Sequence, residues 1–219
     1  GDPPFSGPIF DSLVEIADRV IVDSRTWHTP FATLPQLAQI AVAHAPHIAY
    51  ADLHWTRLTP WRRLTAQCFD LPDALPELYQ LQHVTIEHGP DDHDQLSALL
   101  FIGWLGSGLD WRIVATDAGQ YTVRGPHGAV TIELHRRAGN PGLHMVGLRS
   151  ANATFTLAQR PETGCIRTEL TLPHSAPIER MARFIPEPLE QVISAELNML
   201  EHDQHFERAL HIAARLLSA

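Results

Sequence analysis

The sequence predicts an α+β protein, and three observations carry that prediction. From Asp110 to Leu172, short apolar runs of period two are separated by glycine, proline and asparagine turns, the mark of antiparallel strands with one dry and one wet face. On either side, apolar residues recur at helical spacing, as at Leu34, Leu37, Ile40 and Ala41 and again at Leu189, Val192, Ile193, Leu197 and Leu200. Near the start, Arg19-Val-Ile-Val-Asp23 is apolar without alternation, as in a parallel strand buried on both faces. The predicted architecture is an N-terminal remnant of an α/β region, then an antiparallel β-meander of about five or six strands packed by helices, and finally C-terminal helices. The expected domains are 1–54, the end of an α/β assembly domain, and 55–219, an α+β domain with an antiparallel sheet.

Composition narrows the function classes. The chain has 219 residues and a formal net charge of −9, and every one of its 16 Lys+Arg residues is arginine. An acidic chain without basic runs does not suit nucleic acid or anionic membranes. No apolar run approaches the roughly 20 residues of a membrane span. Cys68 and Cys165 are far apart and fit no metal-binding or CxxC spacing, which suits a reducing compartment; the expected location is the cytoplasm.

Taken in order, Phe10 to Ala17 reads as a short helix with Leu13, Val14 and Ala17 on one side. The strand Arg19–Asp23 needs neighbours that nothing upstream supplies, so the chain is expected to be the C-terminal part of a longer protein. Thr33 to His44 reads as a helix capped by Thr33. Thr59 is a good N-cap and Pro60 suits the first helical position, so a helix is expected from Pro60 to Asp70, with Trp61, Leu64, Cys68 and Phe69 on one face and Trp55 and Arg57 in the turn before it. Leu81 to Glu87 alternates as a strand. Asp91 or Asp92 caps a helix from Asp94 to Leu105 that is apolar nearly all round and therefore buried, ended by Gly106-Ser-Gly108. Six strands follow, at Trp111–Thr116, Tyr121–Arg124, Val130–Arg136, Leu143–Arg149, Thr154–Ala158 and Ile166–Leu172. Asp94–Leu105 and the C-terminal helices are the covers available for the dry face. Beyond Leu172 the reading is helical: Ala176–Phe184, Glu187–Glu201, and a last helix capped by Asp203.

No segment carries a credible catalytic constellation. His88, Asp91, Asp92, His93 and Asp94 share one loop and offer imidazole and carboxylate ligands for a divalent metal, but aspartates before a helix also serve as caps. Ser24 lies near Asp23 and His28, yet triads are recognised by geometry. Gly103-Trp-Leu-Gly-Ser-Gly108 follows a helix, whereas a phosphate cradle precedes one. No cofactor is expected. Arg124, Arg136, Arg149 and Arg167 on strands would permit a module that senses a sugar phosphate or nucleotide, and the His88–Asp94 loop a metal-dependent hydrolase.

The stretch Asp52-Leu-His-Trp-Thr-Arg-Leu-Thr-Pro-Trp-Arg-Arg-Leu64 concentrates tryptophan and arginine, the residues that most often anchor interfaces; a core helix is the competing reading. With Thr65 to Asp70 it resembles the signature of the OpcA family of glucose-6-phosphate dehydrogenase assembly proteins. Ala17–Ser24, Ala98–Leu105 and Glu196–Leu210 resemble further family segments in family order. The resemblance implies a non-enzymatic assembly factor and allosteric activator that binds glucose-6-phosphate dehydrogenase and serves NADPH supply in the oxidative pentose phosphate pathway. It makes Trp55, Arg57, Trp61 and Arg62 the candidate partner contacts. It also implies thiol regulation, with Cys68 and Cys165 as candidate redox residues and thioredoxin as a candidate partner.

Overall fold

The computed structural model describes residues 2–3, 5–117, 119–199 and 201–218. They group into two compact units, Gly1–Leu58 with Leu99–Ser107 and Glu187–Ala219, and Thr59–Ala98 with Gly108–Pro186.

The first unit holds α1 (Pro8–Val14), β1 (Arg19–Val22), a 3₁₀ turn (Ser24–Thr26), α2 (Pro30–His44), β2 (Ala49–Asp52), α3 (Leu53–Arg57), α7 (Leu189–Leu197) and α8 (Gln204–Ser218). β1 is parallel, as its unalternating sequence predicts, and its neighbour is β2, in register from Arg19 opposite Ala49 to Val22 opposite Asp52; it is not buried on both faces as expected, since all four of its residues are half-buried. The sequence reading missed β2 because Ala-Tyr-Ala-Asp is short and buried at every position, so it shows no period. α1 starts and ends earlier than expected and contributes no buried residue; Leu13 is 58% exposed. α2 begins at Pro30, with Thr29 in the cap position. Thr33 is therefore interior, its hydroxyl donating to the Thr29 carbonyl at 2.8 Å. α8 packs on α2, and α7 on α3. Asp203 caps α8 as expected, accepting from the Phe206 N–H at 2.9 Å. Leu200 lies outside the described residues.

The second unit is built on one eight-stranded sheet. Its strands are β3 (His83–His88), β4 (Arg112–Asp117), β5 (Gln120–Gly125), β6 (Gly128–Arg136), β7 (Leu143–Arg149), β8 (Thr154–Arg160), β9 (Cys165–Thr171) and β10 (Ile178–Arg183), in the order β10-β9-β8-β7-β3-β6-β5-β4. The six expected strands of the meander are all present, but two features correct the simple picture. β3 inserts between β6 and β7, parallel to the former and antiparallel to the latter. Ala176–Phe184, expected as a helix, contains β10, which pairs with β9 from Ile178 opposite Leu170 to Arg183 opposite Cys165. Its Glu, Arg, Met and Ala are good helix formers, and the hydrogen bonds offered by the β9 edge override that preference.

Alternation gives the sheet its core. Tyr121, Ile132, Val84, Leu148, Phe155, Leu170 and Ile178 form one register row across seven strands, and all but Ile178 are buried. α4 (Thr59–Cys68) lies against β8, and Phe69, just beyond it, packs tilted against Phe155 with ring centroids 4.5 Å apart. α5 (Leu75–Leu78) is tied to the end of β7 by the Ser150 hydroxyl, which donates to the Glu77 carboxylate. α6 (Asp92–Gly108) gives its first turns to this unit and Leu99–Ser107 to the other. Leu96 to Gly103 are buried without a gap, as the all-round apolar pattern requires. The helix runs through Gly106 and ends at Gly108, the last of the three residues expected to end it. In the first unit, a Cβ at Gly103 would overlap the Ala209 carbonyl, so α6 and α8 touch backbone to backbone there.

Candidate functional site

β2, α3 and α4 follow one another through the Asp52–Leu64 stretch. Asp52 ends β2 and caps α3. Its Oδ1 accepts from the His54 N–H at 2.9 Å and from the Ser24 N–H at 3.0 Å, which fastens the 3₁₀ turn to the start of α3. Ser24 Oγ lies 2.9 Å from His54 Nδ1. Ser24, Asp52 and His54 are all buried, and Asp52 Oδ2 has no hydrogen-bond partner among the described residues. Burial holds the Asp52 carboxyl up at about 6, against the hydrogen bonds from Ser24 and His54 that favour the carboxylate.

This serine, histidine and aspartate do not form a hydrolytic triad. The aspartate accepts from backbone N–H groups, while a triad aspartate orients the imidazole. The trio was not legible in the sequence, where Asp23 and His28 stand nearer Ser24; the strand pairing of β1 with β2 brings Asp52 and His54 to it. Asp23 instead receives both terminal nitrogens of Arg57, at 2.8 and 2.9 Å, a bidentate pair. The His28 N–H donates to Asp2 at 2.8 Å.

The four residues proposed from composition fall into two kinds. Trp55 and Trp61 are each 2% exposed. Trp55 packs against Phe206 with ring centroids 5.6 Å apart, and its Nε1 donates to Asp203 at 2.9 Å. Trp61 meets Phe184 edge-on at 6.1 Å. As folded, both are packing residues. Arg57, on α3 rather than in a turn, is committed to Asp23. Arg62 donates to Thr59 Oγ1 at 2.8 Å and is half-buried, with Arg63 beside it exposed. A second clamp, unseen in the sequence, closes the first unit. Arg19 donates to the Met199 and Glu201 carbonyls at 2.7 and 2.6 Å and lies 3.7 Å from Glu196. The Thr56 hydroxyl donates to that same buried Glu196.

The cysteines differ. Both are free, Cys68 buried and Cys165 half-buried. Cys68 donates to the Leu64 carbonyl at 3.3 Å, and burial pushes its thiol up to about 12.

The His88–Asp94 loop is a capping structure. Asp94 accepts from the Asp91 N–H at 3.2 Å and the Gly142 N–H at 2.6 Å, while Asp91 accepts the first helical N–H groups of α6 through its carbonyl. His88 is buried with Nδ1 2.8 Å from the Gly89 carbonyl, and burial lowers its pKa. Asp92 pairs with Arg136. Among the described residues, no three His, Cys, Asp or Glu side chains are grouped so as to hold a metal ion. The strand arginines do not converge. Arg136 turns to α6, Arg167 is shared between Glu169 and Glu179, and Arg124 lies on β5 at the far end of the sheet from it. No helix among the described residues is long and apolar enough to cross a membrane.

Comparison with known proteins bears on the same stretch. Residues 48–210 match the OpcA family model, described as the C-terminal domain of the glucose-6-phosphate dehydrogenase subunit. The chain belongs to the OpcA family. The OxPP cycle protein OpcA of Synechocystis sp. is 38% identical over 107 residues, 49% of this chain and 22% of that protein. The OpcA of Synechococcus elongatus is 26% identical over 94% of this chain and 49% of its own length. The chain thus spans about half the length, or less, of these curated relatives. In fold, the chain is similar to the 3-ketoreductase KijD10 of Actinomadura kijaniata, solved with NADP and TDP-benzene, with a TM-score of 0.62, 13% identity, and coverage of 95% of this chain and 72% of that one. An NAD binding oxidoreductase from Klebsiella pneumoniae gives 0.54 at 11% identity with the same coverage. At such identities the likeness is one of fold alone.

Proposed function

We propose that this member of the OpcA family is a non-catalytic partner of glucose-6-phosphate dehydrogenase that promotes its active oligomer and so raises flux into the oxidative pentose phosphate pathway. The observation that carries this reading is the match of residues 48–210 to the family model. What accompanies it is the fate of the polar residues. Asp91 and Asp94 hold the start of α6, Asp92 pairs with Arg136, the buried Ser24–His54–Asp52 trio holds the chain path, and the strand arginines are dispersed. Asp52, Asp92, Asp94, Arg136 and Arg167, which the sequence offered for chemistry or docking, have structural tasks.

A partner activates an enzyme only by binding its active state more tightly than its inactive one. A difference of about 1.4 kcal/mol shifts the ratio tenfold. Within the Trp/Arg stretch, the exposure of Arg63, with the half-buried Arg62 beside it, favours these two as the contacts with the enzyme. Trp61 seats the helix that carries both, while Trp55 and Arg57 serve the packing of the first unit. The test is dehydrogenase activity at low substrate, with the enzyme of the same organism, with and without this chain, alongside size-exclusion chromatography of the mixture. Co-elution with raised activity is expected. Absence of both, repeated with the full-length protein, would overturn the proposal.

A further inference from the structure

The face of the large sheet turned away from α4, α5 and α6 carries no helix of its own unit among the described residues. Register places its residues. One row runs Gln120, Glu133, Thr85, Gly147, Thr156, Glu169, Glu179 across seven strands. Met145 and Ala158, opposite one another on β7 and β8, share that face. The centre, on β3, β7 and β8, is thus Thr85, Gly147, Thr156, Met145 and Ala158, small or apolar, uncharged and half-buried. An antiparallel face exposed to water ordinarily carries charged side chains in its middle; here they stand on the outer strands and toward the ends of the central ones, as Glu87, Arg149 and Arg160 do.

The charges of this face nearly cancel. Its strand positions hold six arginines, Arg112, Arg124, Arg149, Arg160, Arg167 and Arg183. Against them stand five carboxylates, Glu87, Asp117, Glu133, Glu169 and Glu179. Several are already matched within the face: Arg167 with Glu169 and Glu179, and Arg137, just past β6, with Glu87. With Arg137 the face holds seven positive and five negative charges, a balance of +2, whereas the whole chain carries −9. Two copies approaching by any acidic part of the surface repel one another, but this face meets its own copy without that penalty. Its extent is also sufficient. Eight strands about 4.8 Å apart, each about six residues long, present roughly 750 Å². Two such faces together reach the range of about 1,200–2,000 Å² that stable interfaces bury. An uncharged centre inside a polar rim is the usual anatomy of such a contact.

We infer that the open face of the eight-stranded sheet, centred on Thr85, Gly147 and Thr156, is an interface between two copies of this chain packed sheet on sheet about a two-fold axis.

Sedimentation equilibrium of the chain alone tests it. A dimer at micromolar concentration is expected. Thr156→Glu sets two like charges against each other near the axis and is expected to weaken self-association at least about tenfold, with circular dichroism and melting unchanged. If that variant fails to fold, Thr156→Cys in a Cys165→Ser background keeps the question open to measurement; mild oxidation should cross-link the dimer through the new thiols. A chain that stays monomeric at about 100 μM, whether or not it binds the dehydrogenase by this face, overturns the inference. So does a dimer that Thr156→Glu leaves intact, or a dimer that the Thr156→Cys pair does not cross-link.

Discussion

The two units are held together by different physics. In the second, a row of apolar side chains crosses seven strands, and the buried Trp61 and Phe69 add to its core. In the first, beside an apolar core that includes Leu34, Leu37, Phe101, Phe206 and Leu210, side chains with hydrogen-bonding heads fasten the elements: Asp52 to Ser24 and His54, Arg57 to Asp23, Trp55 to Asp203, Thr56 and Arg19 to Glu196. An apolar core loses stability by the volume removed. A buried polar network loses it by the group left without a partner. The first unit should therefore answer to pH and to single-atom changes as well as to cavities, and the second chiefly to cavities.

The largest effect expected is a cavity. Trp61→Ala in the second unit should cost about 3–5 kcal/mol, read as a lower urea midpoint. Were Trp61 instead an anchor for the dehydrogenase, the variant would melt normally and lose binding. Next comes Asp52→Asn in the first unit. Burial raises the Asp52 carboxyl to about 6, from the 3.8 usual for an aspartate. A raised acid favours the folded state while protonated, so its contribution is fully present below about 4 and is lost as pH rises through about 6. The amide keeps an oxygen for the Ser24 and His54 N–H groups and has no charge to bury. The wild type should therefore lose roughly 3 kcal/mol relative to the variant between pH 4 and 6, measured as the difference between their melting profiles. Parallel profiles would show that Asp52 ionises normally. Gly103→Ala follows, because the added methyl must displace the Ala209 backbone; about 1–3 kcal/mol is expected, and a neutral result would show that the helices can separate there.

What was legible in the sequence follows the same division. Period two is a local signal, and it located all six strands from β4 to β9 within a few residues. β2 escaped because four buried residues have no period, and β10 because helix-forming residues sit on an edge whose hydrogen bonds decide the matter. The insertion of β3 between β6 and β7 depends on pairing across more than forty residues, which no local pattern records. The Trp/Arg stretch was found by composition and family pattern alike, but composition could not say which of its side chains turn inward. Nor could the Asp52–Ser24–His54 cluster be foreseen, since it exists only once β1 lies beside β2.

A smaller effect belongs to the rim of the first unit's polar network. Arg57→Ala removes a bidentate pair whose partners are 21% and 18% exposed. It should cost about 1–2 kcal/mol, more than a solvated pair would, and Asp23→Ala combined with it should add little. Additive losses in that double-mutant cycle would mean the two side chains act independently.

The smallest change leaves the fold intact and asks only about access. A thiolate is the species that reacts with an alkylating reagent. At pH 8, Cys68 stays protonated because burial holds it near 12, and it is buried against α4's own backbone. Cys165 opens β9 beside the edge strand and is half-buried. Iodoacetamide followed by mass spectrometry should therefore find Cys165 modified first, and Cys68 only at the rate at which the second unit opens. Cys68→Ser should change no thiol-dependent behaviour of the native protein, whereas Cys165→Ser should abolish whatever thiol response the chain has. Equal labelling of the two would mean that α4 leaves the sheet far more often than a close-packed Phe69–Phe155 pair and a buried Trp61 allow.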